Sequence, residues 1–98
     1  MILRIVKMTF QEEEVTEFLH LFDLNKYKIR HFPGCSHLEL LKDAQHNHIL
    51  TTYSIWEDEA DLENYRNSDL FREVWSETKK KFSDKPLAFS MKRFLEVN

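Results

Sequence analysis

Glycine is nearly missing from this sequence. Its 98 residues include one glycine, Gly34, and two prolines. A lone glycine marks a backbone position that other residues would strain to occupy. Cysteine is single as well. Cys35 has no partner for an internal disulfide, which fits a reducing compartment. The default for such a residue is a small buried hydrophobe. Basic charge is not in excess: 14 Lys and Arg stand against 17 Asp and Glu, and nucleic-acid binders show a basic stripe instead. The one basic run, Lys79-Lys80-Lys81, closes a helical pattern, where cations offset the helix dipole. No stretch approaches a membrane span. The opening "MILRIVKMTF" has neither the apolar centre nor the cleavage site of a signal peptide. No repeat, low-complexity tract or linker is visible. The expectation is one soluble, cytoplasmic domain over residues 1–98, with neither nucleic acid nor membrane as a partner.

Rings are what the sequence has in quantity: eight Phe, three Tyr and two Trp. Each buries roughly 150–250 Å² when covered, whereas a domain this small encloses only part of its surface. There are more rings than one small core requires, and self-association would hide the excess.

The elements follow from periodicity. "ILRIVKMTF" is β-branched and apolar on both parities apart from Arg4 and Lys7, as a strand covered on each side would be. Thr9 and Glu12 have capping-box spacing. Val15, Phe18, Leu19, Phe22 and Ile29 then form a helical stripe that Pro33-Gly34 ends. Residues 35 to 56 alternate as a hairpin around "DAQHN". Asp58 opens a second helix, and Ser68 reads as a second cap where that helix bends or restarts. Phe71, Val74, Trp75, Thr78 and Phe82 continue it. "SDKP" is a loop and "LAFSMKRFLEV" a last strand. The order β-α-β-β-α-β is the ferredoxin-like α+β plan, a four-stranded antiparallel sheet with both helices on one face. The other face would be bare, yet strands one, three and four carry apolar residues at both parities. A second copy packed there would remove them from water, each large side chain contributing about 1.5–3 kcal/mol.

"HFPGCSHLELLKD", "TTYSIWEDEADLENYRNSDLF" and "PLAFSMKRF" together resemble the antibiotic biosynthesis monooxygenase family of dimeric α/β barrels. The most specific marks are Ser54-x-Trp56 at the end of strand three and the pattern Tyr65, Ser68, Phe71 in the helix after it. The resemblance implies a homodimer joined sheet to sheet and a pocket in each subunit between sheet and helices. Some members oxidise polycyclic phenols to quinones with O₂ and no metal or flavin, others degrade haem, and others act on quinone-like or signalling molecules. Tyr65 and Trp75 take positions that line the family's cavity, so they either border a pocket or fill it. The haem-degrading branch carries an Asn that falls on Val6, a Trp that falls on Tyr65 and a haem-ligating His that falls on Trp75. Indole does not ligate iron, so haem degradation is disfavoured. The implied function is binding of a small aromatic or quinone-like molecule, with cofactor-independent monooxygenase (oxidoreductase) chemistry on it. A non-catalytic binding module and a structural dimer plugged by its own rings are the alternatives.

Other side chains carry two readings each. His37 shares a strand face with Glu39 and is a candidate general base or an ordinary surface or interface pair. His46 and His48 lack a third partner for a metal site. Trp56 is expected to pack, its N–H finding an acceptor. Arg4 and Arg93 fall in strands that look buried on both faces, where an unpaired charge is costly. Each needs an acid, with Glu39 a candidate, or an anion from the substrate.

Overall fold

The computed structural model describes all of residues 1–98. Strand β1 (Ile2–Thr9) leads through a 3₁₀ turn (Glu12–Glu14) into helix α1 (Val15–Arg30). Strands β2 (Cys35–Lys42) and β3 (Ile49–Trp56) follow as a hairpin, then helices α2 (Glu59–Arg66) and α3 (Asp69–Lys79), then strand β4 (Leu87–Met91). The sheet order is β2-β3-β1-β4, every neighbouring pair antiparallel. This is the expected ferredoxin-like α+β plan, with the second helix divided in two.

The division is written at Ser68. Its hydroxyl donates to the Tyr65 carbonyl at 2.6 Å and accepts from the Phe71 N–H at 3.1 Å. One side chain thereby closes α2 and caps α3, which explains the spacing Tyr65, Ser68, Phe71. Asp58 caps α2 in the same way, accepting from the Asp61 N–H at 2.9 Å. Such caps stabilise by about 1 kcal/mol each.

Three expectations are corrected. Thr9 is no cap, because extended pairing runs past it: the Thr9 carbonyl accepts from the Ser83 N–H and the Phe10 N–H donates to the His48 carbonyl, both at 2.9 Å. Helix α1 therefore begins only at Val15, with no side-chain cap. The last strand ends at Met91, and residues 92–98, including Arg93, Phe94 and Leu95, are exposed and irregular. Arg93 is thus not a buried charge in this chain.

Strand alternation sorts the side chains. Even-numbered residues of β1 and β3 face the helices. Ile2 pairs with Trp56 at one end of this face and Met8 with Leu50 at the other. Each pair anchors a core cluster, the first with Cys35 and Leu62, the second with Phe10 and Phe18. Trp56 and Phe10 have no exposed surface. The opposite face carries Leu3, Ile5, Tyr53 and Ile55, with Leu87, Phe89 and Met91 of β4 beside them. No helix of this chain covers it, and Leu87, Phe89 and Met91 are exposed.

Gly34 holds the turn from α1 into β2. Its φ is +88°, its carbonyl accepts from the Glu57 N–H at 2.8 Å, and a Cβ there would overlap the Asp61 side chain. Gly34→Ala is expected to cost more than about 1 kcal/mol. The double variant with Asp61→Gly, which removes the overlapping Cβ as well as the carboxylate, should recover the steric share and not the backbone share. Urea unfolding of Gly34→Ala, Asp61→Gly and the double variant measures both shares.

Candidate functional site

A cavity of about 230 Å³ lies between the helix-side face of the sheet and the helices. Its cause is the size of the side chains in the middle of that face. The two end rows carry Ile2 with Trp56 and Met8 with Leu50. Between them, one cross-strand row reads Ser90, Arg4, Ser54, Leu38, and the next reads Ala88, Val6, Thr52, Leu40. Small or polar groups there leave space that large ones would occupy. Thr52-x-Ser54 and Ala88-x-Ser90, small residues at strand spacing, are the sequence signal that foretells this gap, and sequence reasoning missed it.

The helices supply the opposite wall. Tyr65 and Arg66 come from the end of α2, and Phe71 and Trp75 from α3. Thirteen of the eighteen lining residues are hydrophobic. Both ring positions singled out from the sequence, Tyr65 and Trp75, lie in this wall. Tyr65 stacks on Trp56 with ring centroids 4.9 Å apart and meets Phe32 and Phe71 edge-on. Trp75 stacks on Phe71 at 5.8 Å. The rings therefore brace one another, and an open volume stands beside them. Ser54-x-Trp56 has a local reason: the buried Trp56 indole N–H donates to Ser54 Oγ at 3.0 Å.

His37 is not with them. It points from β2 to the opposite face of the sheet, edge-on to Tyr53 at 5.5 Å, with its Nε2 3.4 Å from Glu39 Oε1. Alternation forbids a residue on that parity from reaching its own chain's cavity. Glu39 shares that face, so it is no partner for Arg4 either. His46 and His48 sit edge-on to each other at the hairpin, 5.8 Å apart, and no group of three His, Cys, Asp or Glu side chains is placed to hold a metal ion. The three positions that carry the haem-degrading arrangement, Val6, Tyr65 and Trp75, do all line the cavity. None is the histidine that the arrangement requires, so the residues present do not build that haem-degrading site.

The ionisable groups in the wall are Arg4, Arg66 and Tyr65. No Asp, Glu, His or Lys lines the cavity. Arg4 is half-buried, and one of its N–H groups donates to Ser90 Oγ at 3.0 Å. Burial, then the nearby charge of Arg66, draw its pKa down, while Glu63 acts in the opposite sense. Arg66 is exposed and 3.6 Å from Glu63. Arg66 and Ala88 both line the cavity and both meet solvent, so the mouth opens between the end of α2 and β4. Cys35 is buried in the neighbouring cluster, its Sγ donating to the His37 carbonyl at 3.5 Å, and burial pushes its pKa up.

Burial, and then the Cys35 charge, holds the Tyr65 phenol well above the ordinary phenol range. At neutral pH Tyr65 is thus a hydrogen-bond donor and not a base. An acid whose pKa is higher in the folded state keeps its proton there while the unfolded chain ionises. Stability from this group is intact below the ordinary value of 10.0 and falls as pH rises beyond it. Chemical denaturation across the alkaline range is expected to show that decline, flattened in Tyr65→Phe.

A family profile described as antibiotic biosynthesis monooxygenase matches residues 1–75. No curated protein matches in sequence. A conserved protein from Methanosarcina mazei Go1 superposes with a TM-score of 0.89 at 22% identity, over 95% of this chain and 93% of that one. A structure named antibiotic biosynthesis monooxygenase gives 0.90 at 18%, over 97% and 100%. A Mycobacterium tuberculosis protein gives 0.88 at 13%, over 99% and 98%. Identities this low speak for the fold alone. The profile match takes in β1 through the middle of α3, the segments that build most of the cavity, and the chain belongs to the antibiotic biosynthesis monooxygenase family.

Proposed function

We propose that the protein is a homodimer, joined through the bare sheet face, whose cavity binds a small, flat aromatic or quinone-like molecule. The observation that carries this reading is the cavity wall: stacked rings and aliphatic side chains, with a few polar groups from one sheet row. That composition matches small-molecule sites in general. The volume of about 230 Å³ is below the roughly 300 Å³ at which drug-sized pockets begin. It suits one or two fused rings better than a larger polycycle. The dimer is supported by Ile5, Tyr53, Phe89 and Met91, which lie side by side across three strands of the uncovered face. Patches of this kind mark association surfaces. His37 and Glu39 would then stand at the seam.

The reaction this site supports is oxidation of a bound phenol by O₂. The stoichiometry balances without a second reductant. A phenol plus O₂ gives a quinone plus water, one oxygen atom ending on the ring and the other in water, with all four electrons drawn from the phenol. The electron donor is the deprotonated ring. The wall contains no general base, so the substrate is expected to bind already ionised or to lose its proton to water. Phe71 and Trp75 hold the ring plane, which fixes the carbon that meets O₂.

Two measurements test this reading. Oxygen uptake with naphthols and hydroquinones should be faster with protein than without, and Trp75→Ala should lower it at least roughly tenfold through lost positioning. Binding without any uptake would leave the non-catalytic module as the function. Sedimentation at low micromolar concentration is expected to give twice the chain mass, and Phe89→Lys should return the monomer. A stable wild-type monomer would remove the dimer.

A further inference from the structure

Both charged side chains in the cavity wall are cations, on a chain whose formal net charge is −3. Arg4 is the more telling. It sits in the middle of the helix-side face, between Ser90 and Ser54 on the neighbouring strands, and forms no ion pair within the chain. Its one hydrogen bond uses a single N–H on a neutral hydroxyl, while a guanidinium has five N–H groups in a planar fork. Ser54 lies beside it. Ser54 Oγ accepts from Trp56, and its own proton is given to no acceptor in the protein. Arg66 faces the same space from the end of α2. A half-buried guanidinium that has Glu63 in its neighbourhood but no ion pair, a free hydroxyl proton, and a second guanidinium 3.6 Å from Glu63 converge where no carboxylate lines the wall.

We propose that the ligand is a small aromatic anion whose charged oxygens are bound by Arg4, with Arg66 at the mouth and Ser54 as a further donor. Two kinds of group present this chemistry, a ring carboxylate and the ionised hydroxyl of a hydroxyquinone. Both offer planar, delocalised oxygens that match the guanidinium fork. The rings lie against Phe71 and Trp75 while the charge faces the sheet row. This inference rests on the aromatic-ligand reading above and adds the sign of the ligand's charge and the residue that reads it.

Binding of paired probes tests it, each pair matched in shape and differing in charge: naphthoate against naphthamide, and ionised hydroxynaphthoquinone against its methyl ether. Titration calorimetry on the full chain is expected to show each favoured anion binding at least roughly tenfold tighter than its neutral partner. The pair with the larger ratio identifies the carboxylate or the ionised hydroxyl as the recognised group. Arg4→Met should shrink that ratio to the part that Arg66 contributes, and Arg4→Lys should retain more of it. Arg66→Gln, at an exposed helix end, keeps the test valid should Arg4→Met fail to fold, and is expected to shrink the ratio several-fold. A neutral probe that binds as tightly as its anion overturns the charge assignment and leaves the aromatic reading standing. A preference that survives both Arg4→Met and Arg66→Gln overturns it equally. Failure of every probe to bind removes both readings together.

Discussion

A strand sends successive side chains to opposite faces, and that constraint governs the whole molecule. Arg4, Val6 and Met8 face the helices because Leu3, Ile5 and Lys7 do not. The same parity gives the chain two apolar surfaces. One is enclosed by its own helices around a cavity, and the other is left without cover. The cavity and the bare face are two outcomes of one alternating pattern, so a one-residue slip in β1 would exchange them.

Large residues at the ends of the inner face and small ones in the middle then set where the space falls. Ile2 with Trp56 and Met8 with Leu50 act as two supports. Ser54, Thr52, Ala88 and Ser90 are too short to close the gap between them. Tyr65, Phe71 and Trp75 cannot close it either, because each is held by its neighbours: Tyr65 against Trp56, Phe32 and Phe71, and Trp75 against Phe71 and Phe82. Rings locked in mutual contact keep their orientation and so make a wall of fixed shape.

Much of this was legible in the sequence. Element order followed from apolar spacing, and the break in the second helix followed from Ser68, because both signals are local. Tyr65 and Trp75, singled out by family resemblance together with helical spacing, line the cavity. Other features depend on partners distant in sequence. Thr9 has the composition of a cap, but its carbonyl is taken by Ser83, a contact that only the closed fold provides. Arg4 and Glu39 looked like candidates for an ion pair until the register put them on opposite faces. The same register puts His37, the candidate general base, on the face away from the cavity. Parity within a strand can be read from sequence, but which parity faces the helices is decided by the assembled sheet. The residues after Met91 have strand-like composition and no neighbouring strand to pair with.

The interruption at Asn67 and Ser68 has a bearing on how such a site can diversify. Tyr65 and Arg66 stand on one side of it and Phe71 and Trp75 on the other. Two short helices meet at a two-residue corner, and the Tyr65–Phe71 contact couples the two banks across it. A substitution at the corner, paired with a change in that contact, would turn one bank of side chains against the other while the sheet and its hydrogen bonds stay as they are. The shape of the cavity thus rests on a few residues outside the sheet, and it can be altered with the loss of a local helix cap and no change to the strands.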